Sequence, residues 1–226
     1  MKKLTILAIV TLIAGVATQA HARSLGEQKS MTPAQVLEEL MEGNERFQNG
    51  HGTHRDLLNE AEETSTGQYP IAVVVSCLDS RVPVELVFDQ GIGDIFVGRV
   101  AGNVEDRDMV GSLEFATKVA GSKLIMVMGH ESCGAVKGAI DDVELGNLTQ
   151  LLDKIDPAIE SVGTEYGSRS SKNAKYVDAV IRANVLNTID DIREISPIIA
   201  EMEKNGDIMI VGTMYSLDDG AVTIVK

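Results

Sequence analysis

Residues 71–81 have the sequence IAVVVSCLDSR, in which an apolar run is followed at once by a polar cluster. The run at 71–76 is rich in valine, which is typical of a strand covered on both faces of a parallel sheet. Cys77, Asp79 and Arg81 come directly after it. Ligands bind beyond the carboxyl ends of strands in an open α/β sheet. This stretch therefore predicts a functional site as well as a strand.

Three more apolar, β-branched runs follow, at residues 95–100, 123–128 and 208–211. Helical patterns lie between the runs, at 110–120, at 136–140 and along the face formed by Val177, Ile181, Val185, Ile189 and Ile192. The turn Asp218-Asp219-Gly220 indicates that residues 221–225 return as an antiparallel edge strand. The predicted fold is α/β: a central, mainly parallel four-stranded sheet flanked by helices, with an added antiparallel edge strand.

The sequence also predicts the start of a helix at Thr32. Thr32 is suited to the N-cap, Pro33 to the first helical position, and Gln35 to closing a capping box. The apolar spacing that follows predicts a helix to about Gln48. Residues 49–69 are polar, and Ser65-Thr66-Gly67 indicates a loop before the first strand.

A second polar cluster, His130-Glu131-Ser132-Cys133, begins 53 residues after Cys77, at the end of the third predicted strand. Two thiolates and one imidazole are three ligands for a tetrahedral zinc ion, and they leave one position open, as in catalytic zinc sites. Taken singly, His130 could be a hydrogen-bonded core histidine and Cys133 a small buried apolar residue. Together the clusters predict a metal site.

Asp79 and Arg81 lie on the same side of the chain if it is extended after the strand. A carboxylate beside zinc tends to become a fourth ligand. An arginine that holds it in a bidentate pair leaves it free to orient hydroxide instead. The alternative is an ordinary solvated ion pair at a strand end.

The amino terminus has the pattern of a secretory signal peptide. Lys2 and Lys3 precede an apolar run at 4–17, and Ala20-His21-Ala22 fits a cleavage site. Cleavage near Ala22 would leave residues 23–226 as one domain and a periplasmic or secreted protein. It would also move the formal net charge from −14 to −16. Such an acidic chain argues against nucleic-acid and membrane-surface partners.

Export leaves a second interpretation of the cysteines open. Cys77 and Cys133 are the only two in the chain, and two cysteines in an exported protein are often a disulfide. That alternative predicts a non-catalytic domain with oxidised thiols and no zinc.

The chain resembles the β-class carbonic anhydrases over at least residues 32–225. The resemblance is carried by the segments CLDSRVP at 77–83, GDIFV at 93–97, RVAGN at 99–103 and GHESCG at 129–134. It implies one Zn²⁺ per subunit held by Cys77, His130 and Cys133, with Asp79 and Arg81 as the catalytic pair. It also implies reversible hydration of CO₂ to bicarbonate by a homodimer or a dimer of dimers, with active sites at the subunit interface.

The resemblance further implies a substrate pocket built from Gln68, Phe96, Ala101, Phe115 and Gly134. Gln68 stands where some members use a glutamine that reaches across the interface. Phe115 replaces a frequent tyrosine, and Ala101 a frequent valine. His51 and His54 are candidate proton shuttles, with exposed loop histidines as the alternative. A related protein of this fold that hydrates CS₂ or COS also remains open, because fold does not settle substrate.

The resemblance also bears on the resting state of the site. Some members close reversibly, with the aspartate on zinc, when bicarbonate fills a separate pocket built partly from a tryptophan. Val74 stands at that position here, and the chain has no tryptophan, although Arg99 remains where closing members carry an arginine. We therefore expect an open site near neutral pH, with Asp79 paired to Arg81.

Overall fold

The computed structural model describes residues 21–225. The signal peptide expected at residues 1–22 lies outside the described residues except for its last two. Within residues 21–225, no helix has the length and apolar character that crossing a bilayer requires.

The described residues form one sheet with strand order β2-β1-β3-β4-β5. The strands are β1 (Ala72–Ser76), β2 (Ile95–Arg99), β3 (Leu124–His130), β4 (Met209–Tyr215) and β5 (Val222–Ile224). β1 to β4 are parallel, and β5 pairs antiparallel with β4. The predicted fold class is confirmed. The sheet has five strands rather than four, because the added edge strand is hydrogen-bonded into the same sheet.

Helices cover both faces of this sheet. They are α1 (Leu25–Ser30), α2 (Pro33–Gln48), α3 (Leu57–Glu63), α4 (Val84–Val87), α5 (Arg107–Glu114), α6 (Gly134–Ile140), α7 (Asn147–Leu152), α8 (Asp156–Ser161), α9 (Ala174–Ile195) and α10 (Pro197–Lys204). A π-helical turn at Phe115–Val119 continues α5, and a 3-10 turn at Ala101–Asn103 follows β2. The helices predicted at 32–48, 110–120, 136–140 and along 177–192 are all present.

The sequence signals at the start of α2 act as expected. The Thr32 hydroxyl accepts a hydrogen bond from the Gln35 N–H, and the Gln35 side chain accepts one from the Thr32 N–H. Each bond satisfies a backbone donor that the helix itself leaves free.

Alternate residues of β1 point into two different cores. Val73 and Val75 pack with α5, α6 and α9, and Cys77 continues this face beyond the end of the strand. Val74 faces the opposite core, with Val36 and Leu40 of α2. The period-2 alternation therefore places Cys77 on the α9 side of the sheet.

The loop predicted at Ser65-Thr66-Gly67 is confirmed, but the polar segment before it contains α3, a helix that the sequence did not predict. Asp56 caps this helix by accepting a hydrogen bond from the Asn59 N–H. The buried residue of α3 is a carboxylate, so the sequence of this helix shows no apolar stripe. Glu60, only 1% exposed, lies 3.1 Å from Arg55 Nη1 and accepts a hydrogen bond from the Ile92 N–H.

Arg55 sits between two buried carboxylates. Its Nη1 is also 3.4 Å from Oδ2 of Asp94, which is 4% exposed and accepts a hydrogen bond from the Gly91 N–H. This group of Arg55, Glu60 and Asp94 joins α3 to the loop that precedes β2. Breaking a buried ion pair from one side leaves uncompensated charge.

We predict that Arg55→Met lowers the free energy of unfolding by about 3 kcal/mol, since Glu60 stays buried without its cation and Asp94 keeps only Arg23, whose Nε is 3.8 Å from Oδ1. Arg182→Met is the matched control, because the Arg182 and Asp178 side chains are 42% and 44% exposed. An exposed pair of this kind contributes less than about 1 kcal/mol. Denaturant titration measures both variants. Equal stability of the two would contradict a structural role for the Arg55 group.

Candidate metal centre

The three predicted metal ligands converge at one edge of the sheet. Cys77 follows β1, His130 is the last residue of the neighbouring β3, and Cys133 is the N-cap of α6. Their donor atoms lie within 4.8 Å of one another, and all three residues are buried. β2 lies on one side of β1 and β3 on the other, so the strand order reverses at β1. In open α/β sheets, ligands bind at the carboxyl edge next to such a switch point.

The His130 ring is oriented for a ligand. Its Nδ1 lies 2.9 Å from the Glu131 carbonyl oxygen, so the Nδ1–H donates there and Nε2 keeps its lone pair. Within the described residues, Nε2 is buried and has no hydrogen-bond partner. An unsatisfied buried nitrogen is unfavourable in an apo site, and a backbone partner for the other nitrogen is the usual arrangement of a metal-binding histidine. The donor set therefore fits a zinc ion.

The two cysteines are not bonded to each other. Their Sγ atoms are 3.9 Å apart, and both thiols are free. A disulfide needs about 2.05 Å between its sulfurs. The alternative of a disulfide-tied domain is therefore wrong for this structure.

The two thiols differ in how readily they carry charge. A hydrogen bond from Cys133 lowers the pKa of the Cys77 thiol to about 4 against the opposing effect of burial, with smaller contributions from the His130 side chain and the Gly102 N–H. The same hydrogen bond and burial raise the pKa of Cys133 well above its usual range. The pair alone accommodates one negative charge, and a second charge requires a cation between the sulfurs.

Asp79 is held beside this centre by Arg81. Asp79 Oδ1 accepts from Arg81 Nε at 3.0 Å, and Oδ2 accepts from Nη2 at 2.7 Å. This bidentate hydrogen bond holds the pKa of the Asp79 carboxyl well below its usual range. Oδ2 is also 3.9 Å from His130 Nε2. The pairing is the one that the sequence predicts, and it keeps a charged carboxylate next to the three donor atoms.

Arg99 has a contact that the sequence did not reveal. Its Nε donates to the Cys77 carbonyl oxygen at 3.0 Å, and its Nη2 donates to the Asp79 carbonyl oxygen at 2.5 Å. It therefore fixes the backbone between a predicted ligand and the predicted catalytic carboxylate. Val74, which stands where closing members of the family carry a tryptophan, is fully buried in the core on the α2 side of the sheet.

Two of the five predicted substrate-pocket residues lie next to the donor atoms. Ala101 begins the 3-10 turn whose second residue, Gly102, donates its N–H to Cys77 Sγ. Gly134 directly follows Cys133, is exposed, and has no heavy atom within 4 Å of where a Cβ would stand. Both positions leave room near the centre.

The other three lie elsewhere in the same chain. Phe96 of β2 lies beside Val73 of β1. Val73 is four residues before Cys77, which is about 13 Å along the strand at the usual rise per residue. Phe115 meets Phe96 edge to face, with ring centroids 6.2 Å apart, and is 52% exposed. Gln68 precedes β1 and lines an open groove with Ile92 and Gly93. A single chain does not bring these three residues to its own cysteines.

His51 and His54 are exposed residues of the segment before α3.

A cleft of about 1000 Å³ is lined in part by Arg81, Ser132 and Lys137. It gives solvent a path to the edge of the sheet at which the ligands lie.

Sequence reasoning missed Asn184 and Thr188 of α9. Both side chains donate to the turn at residues 101–103, behind Cys77. A signal was present, because these are polar residues next to Val185 and Ile189 on an otherwise apolar helix face. Buried polar side chains on such a face need hydrogen-bond partners nearby.

The fold is an open α/β sheet with a buried Cys-His-Cys donor set that could hold a metal ion. The family model described as "Carbonic anhydrase" matches residues 72–222. The chain is 36% identical over 198 residues to carbonic anhydrase 2 of Mycobacterium tuberculosis, covering 85% of this chain and 92% of that protein. It is 38% identical over 198 residues to a carbonic anhydrase of Mycolicibacterium smegmatis, covering 85% and 93%.

Solved structures agree on the fold. The β-carbonic anhydrase of Coccomyxa, in complex with acetazolamide, gives a TM-score of 0.65 at 20% identity, covering 85% of this chain and 82% of that one. One of two tetrameric β-carbonic anhydrases from Sordaria macrospora gives 0.63 at 22% identity, covering 85% and 94%. This chain belongs to the carbonic anhydrase family, in its β class.

Proposed function

We propose that this protein is a zinc enzyme that reversibly hydrates carbon dioxide to bicarbonate and a proton. The observation that carries the proposal is the buried set of Cys77, His130 and Cys133, with His130 Nε2 unpartnered within the described residues. Membership of the carbonic anhydrase family supplies the reaction.

Cys77, His130 and Cys133 would hold one zinc ion per subunit and leave one position free. When bound, zinc supplies a Lewis acid that lowers the pKa of water to about 7, so that hydroxide is available near neutral pH. The residues around it decide where that nucleophile points and what reaches it.

Asp79 would orient the nucleophile. Its carboxylate lies 3.9 Å from His130 Nε2, and its low pKa keeps it an acceptor throughout the neutral range. By accepting the hydroxide's proton in a hydrogen bond, it directs a lone pair toward CO₂. Arg81 holds both carboxylate oxygens and so keeps Asp79 out of the position that the nucleophile needs.

Ala101 and Gly134 would border the substrate beside the ligands, and Gln68, Phe96 and Phe115 would complete the pocket of a second subunit. This arrangement accounts for the distance of these three residues from the cysteines of their own chain. It implies a homodimer or a dimer of dimers with active sites at the interface. Exposed apolar side chains support such a contact: Leu78 is 65%, Phe115 52% and Val119 71% exposed. The Sordaria neighbours are described as tetrameric.

We also propose that the protein works in the periplasm or outside the cell, after cleavage near Ala22, as a single domain of residues 23–226. The amino-terminal pattern supports export. The strongly acidic composition supports small-molecule substrates over nucleic-acid or membrane-surface partners.

The test of this function is Cys133→Ala. We expect the purified variant to contain less than about a tenth of the wild-type zinc, because only one thiolate and one imidazole remain, and to lose CO₂ hydration. Metal analysis and a stopped-flow hydration assay measure the two effects. Val136→Ala, one turn further along α6 and fully buried, is the control. It should lose stability but keep its zinc.

A Cys133→Ala protein that contains no metal and hydrates CO₂ at the wild-type rate would rule out the proposed function. Wild-type protein that binds zinc stoichiometrically but does not hydrate CO₂ would rule it out equally.

The roles of Asp79 and Arg81 are separable. We expect Asp79→Ala to keep zinc and lose at least about 100-fold in kcat, the usual range for a positioned proton acceptor. Arg81→Ala should also lose activity near neutral pH, because the freed carboxylate can take the fourth ligand position. The double variant should be no worse than Asp79→Ala, since Arg81 acts through Asp79. Wild-type activity of Arg81→Ala at pH 7 would contradict this account.

A further inference from the structure

A backbone turn lies directly behind one of the proposed metal ligands. The 3-10 turn at Ala101–Asn103 brings the Gly102 N–H to 3.4 Å from Cys77 Sγ, inside the buried core. A buried sulfur that carries negative charge is stabilised by a donor of this kind. The position of this turn therefore bears on the electronic state of the ligand.

The conformation of this turn depends on glycine at position 102. Gly102 has φ +74, which favours glycine. A Cβ at this residue would stand 2.9 Å from Ile155 Cδ1 and 3.3 Å from Ala135 Cβ. Glycine is thus required, but glycine also leaves the backbone dihedrals least restricted. Contacts outside the turn therefore add to the turn's own hydrogen bond in fixing the place of Gly102.

Asn184 provides the shortest of these contacts. Its Nδ2 donates to the Gly102 carbonyl oxygen at 2.8 Å, while the Asn103 N–H donates to the Val100 carbonyl oxygen at 3.0 Å. The peptide between Gly102 and Asn103 is therefore held at both ends. Thr188, one helical turn after Asn184, adds a longer contact of 3.4 Å to the Asn103 carbonyl oxygen.

Asn184 is a rigid anchor. It is 2% exposed and lies in the middle of α9, between Ile181 and Val185 of the core. An amide at such a place is costly unless it is hydrogen-bonded. Its donor is directed at a turn that in turn contacts Cys77.

We propose that Asn184 is a positioning residue of the metal centre: by holding the Gly102 carbonyl oxygen, it fixes the place of Gly102, whose N–H in the preceding peptide donates to Cys77 Sγ. This inference rests on the proposed role of Cys77 as a zinc ligand. Without the anchor, the N–H···S hydrogen bond loosens, the sulfur becomes a stronger electron donor, and Cys77 is less firmly placed. Outer partners of metal ligands typically change metal affinity by 10- to 100-fold.

The test is Asn184→Leu, whose side chain has the same number and branching of heavy atoms, although it is bulkier, and has no donor. Zinc affinity is measured by competition with a chromogenic chelator. The cobalt(II)-substituted protein reports on the thiolates through its near-ultraviolet sulfur-to-metal absorption. We expect about 10-fold weaker zinc binding or more, and a shift of the cobalt band to longer wavelength.

Asn44→Leu is the matched control. Asn44 is 1% exposed on α2, on the opposite face of the sheet, and donates to the Val87 and Gly220 carbonyl oxygens at 3.1 and 2.8 Å. Its loss should destabilise the fold as a buried amide does, but it should leave zinc affinity within about twofold and the cobalt band unmoved, since its hydrogen bonds go neither to the ligands nor to the turn at Ala101–Asn103.

If Asn184→Leu does not fold, Asn184→Ser is measured against Asn44→Ser, with the same expectations. Wild-type zinc affinity and an unmoved cobalt band in the folded Asn184 variant would overturn the proposal. So would equal changes in the Asn44 variant, because they would indicate a general effect of stability. Failure of the proposed function looks different, since the wild-type protein itself would then bind no zinc or would not hydrate CO₂.

Discussion

Three buried electron-pair donors that face one another are the constraint on which the rest of this structure depends. The Sγ atoms of Cys77 and Cys133 are 3.9 Å apart, and His130 Nε2 completes the group with no hydrogen-bond partner within the described residues. Protons satisfy this group poorly, because one thiol can donate to the other but no described residue makes a hydrogen bond to the imidazole nitrogen. A divalent cation satisfies all three lone pairs at once. The switch in strand order places these donors together at one edge of the sheet.

The same geometry creates a second problem, which is the carboxylate of Asp79. A carboxylate so close to three metal ligands would bind the cation as well and close the site. Two arginines prevent this in different ways: Arg81 occupies both carboxylate oxygens, and Arg99 holds the carbonyl oxygens of Cys77 and Asp79. The centre therefore depends as much on contacts that restrain its neighbours as on the ligands themselves.

Most of the sheet and the donor set could be predicted from the sequence, because valine-rich strands and closely spaced ligands are local patterns. Helix α3 could not, since its buried residue is Glu60, whose burial is stabilised by Arg55 and by a backbone donor near β2. The contact of Asn184 with Gly102 spans 82 residues, so only the packing of α9 against the sheet reveals it. The separation of Gln68 from Cys77, in contrast, follows from the strand that the sequence predicts between them.

X-ray absorption at the zinc edge of the wild-type protein tests the central claim most directly, because it reports the atoms bound to the metal. The account predicts two sulfur ligands at about 2.3 Å and two nitrogen or oxygen ligands at about 2.0 to 2.1 Å, with one zinc per chain. A zinc shell with no sulfur or only one, or a shell made of nitrogen and oxygen alone, would contradict it.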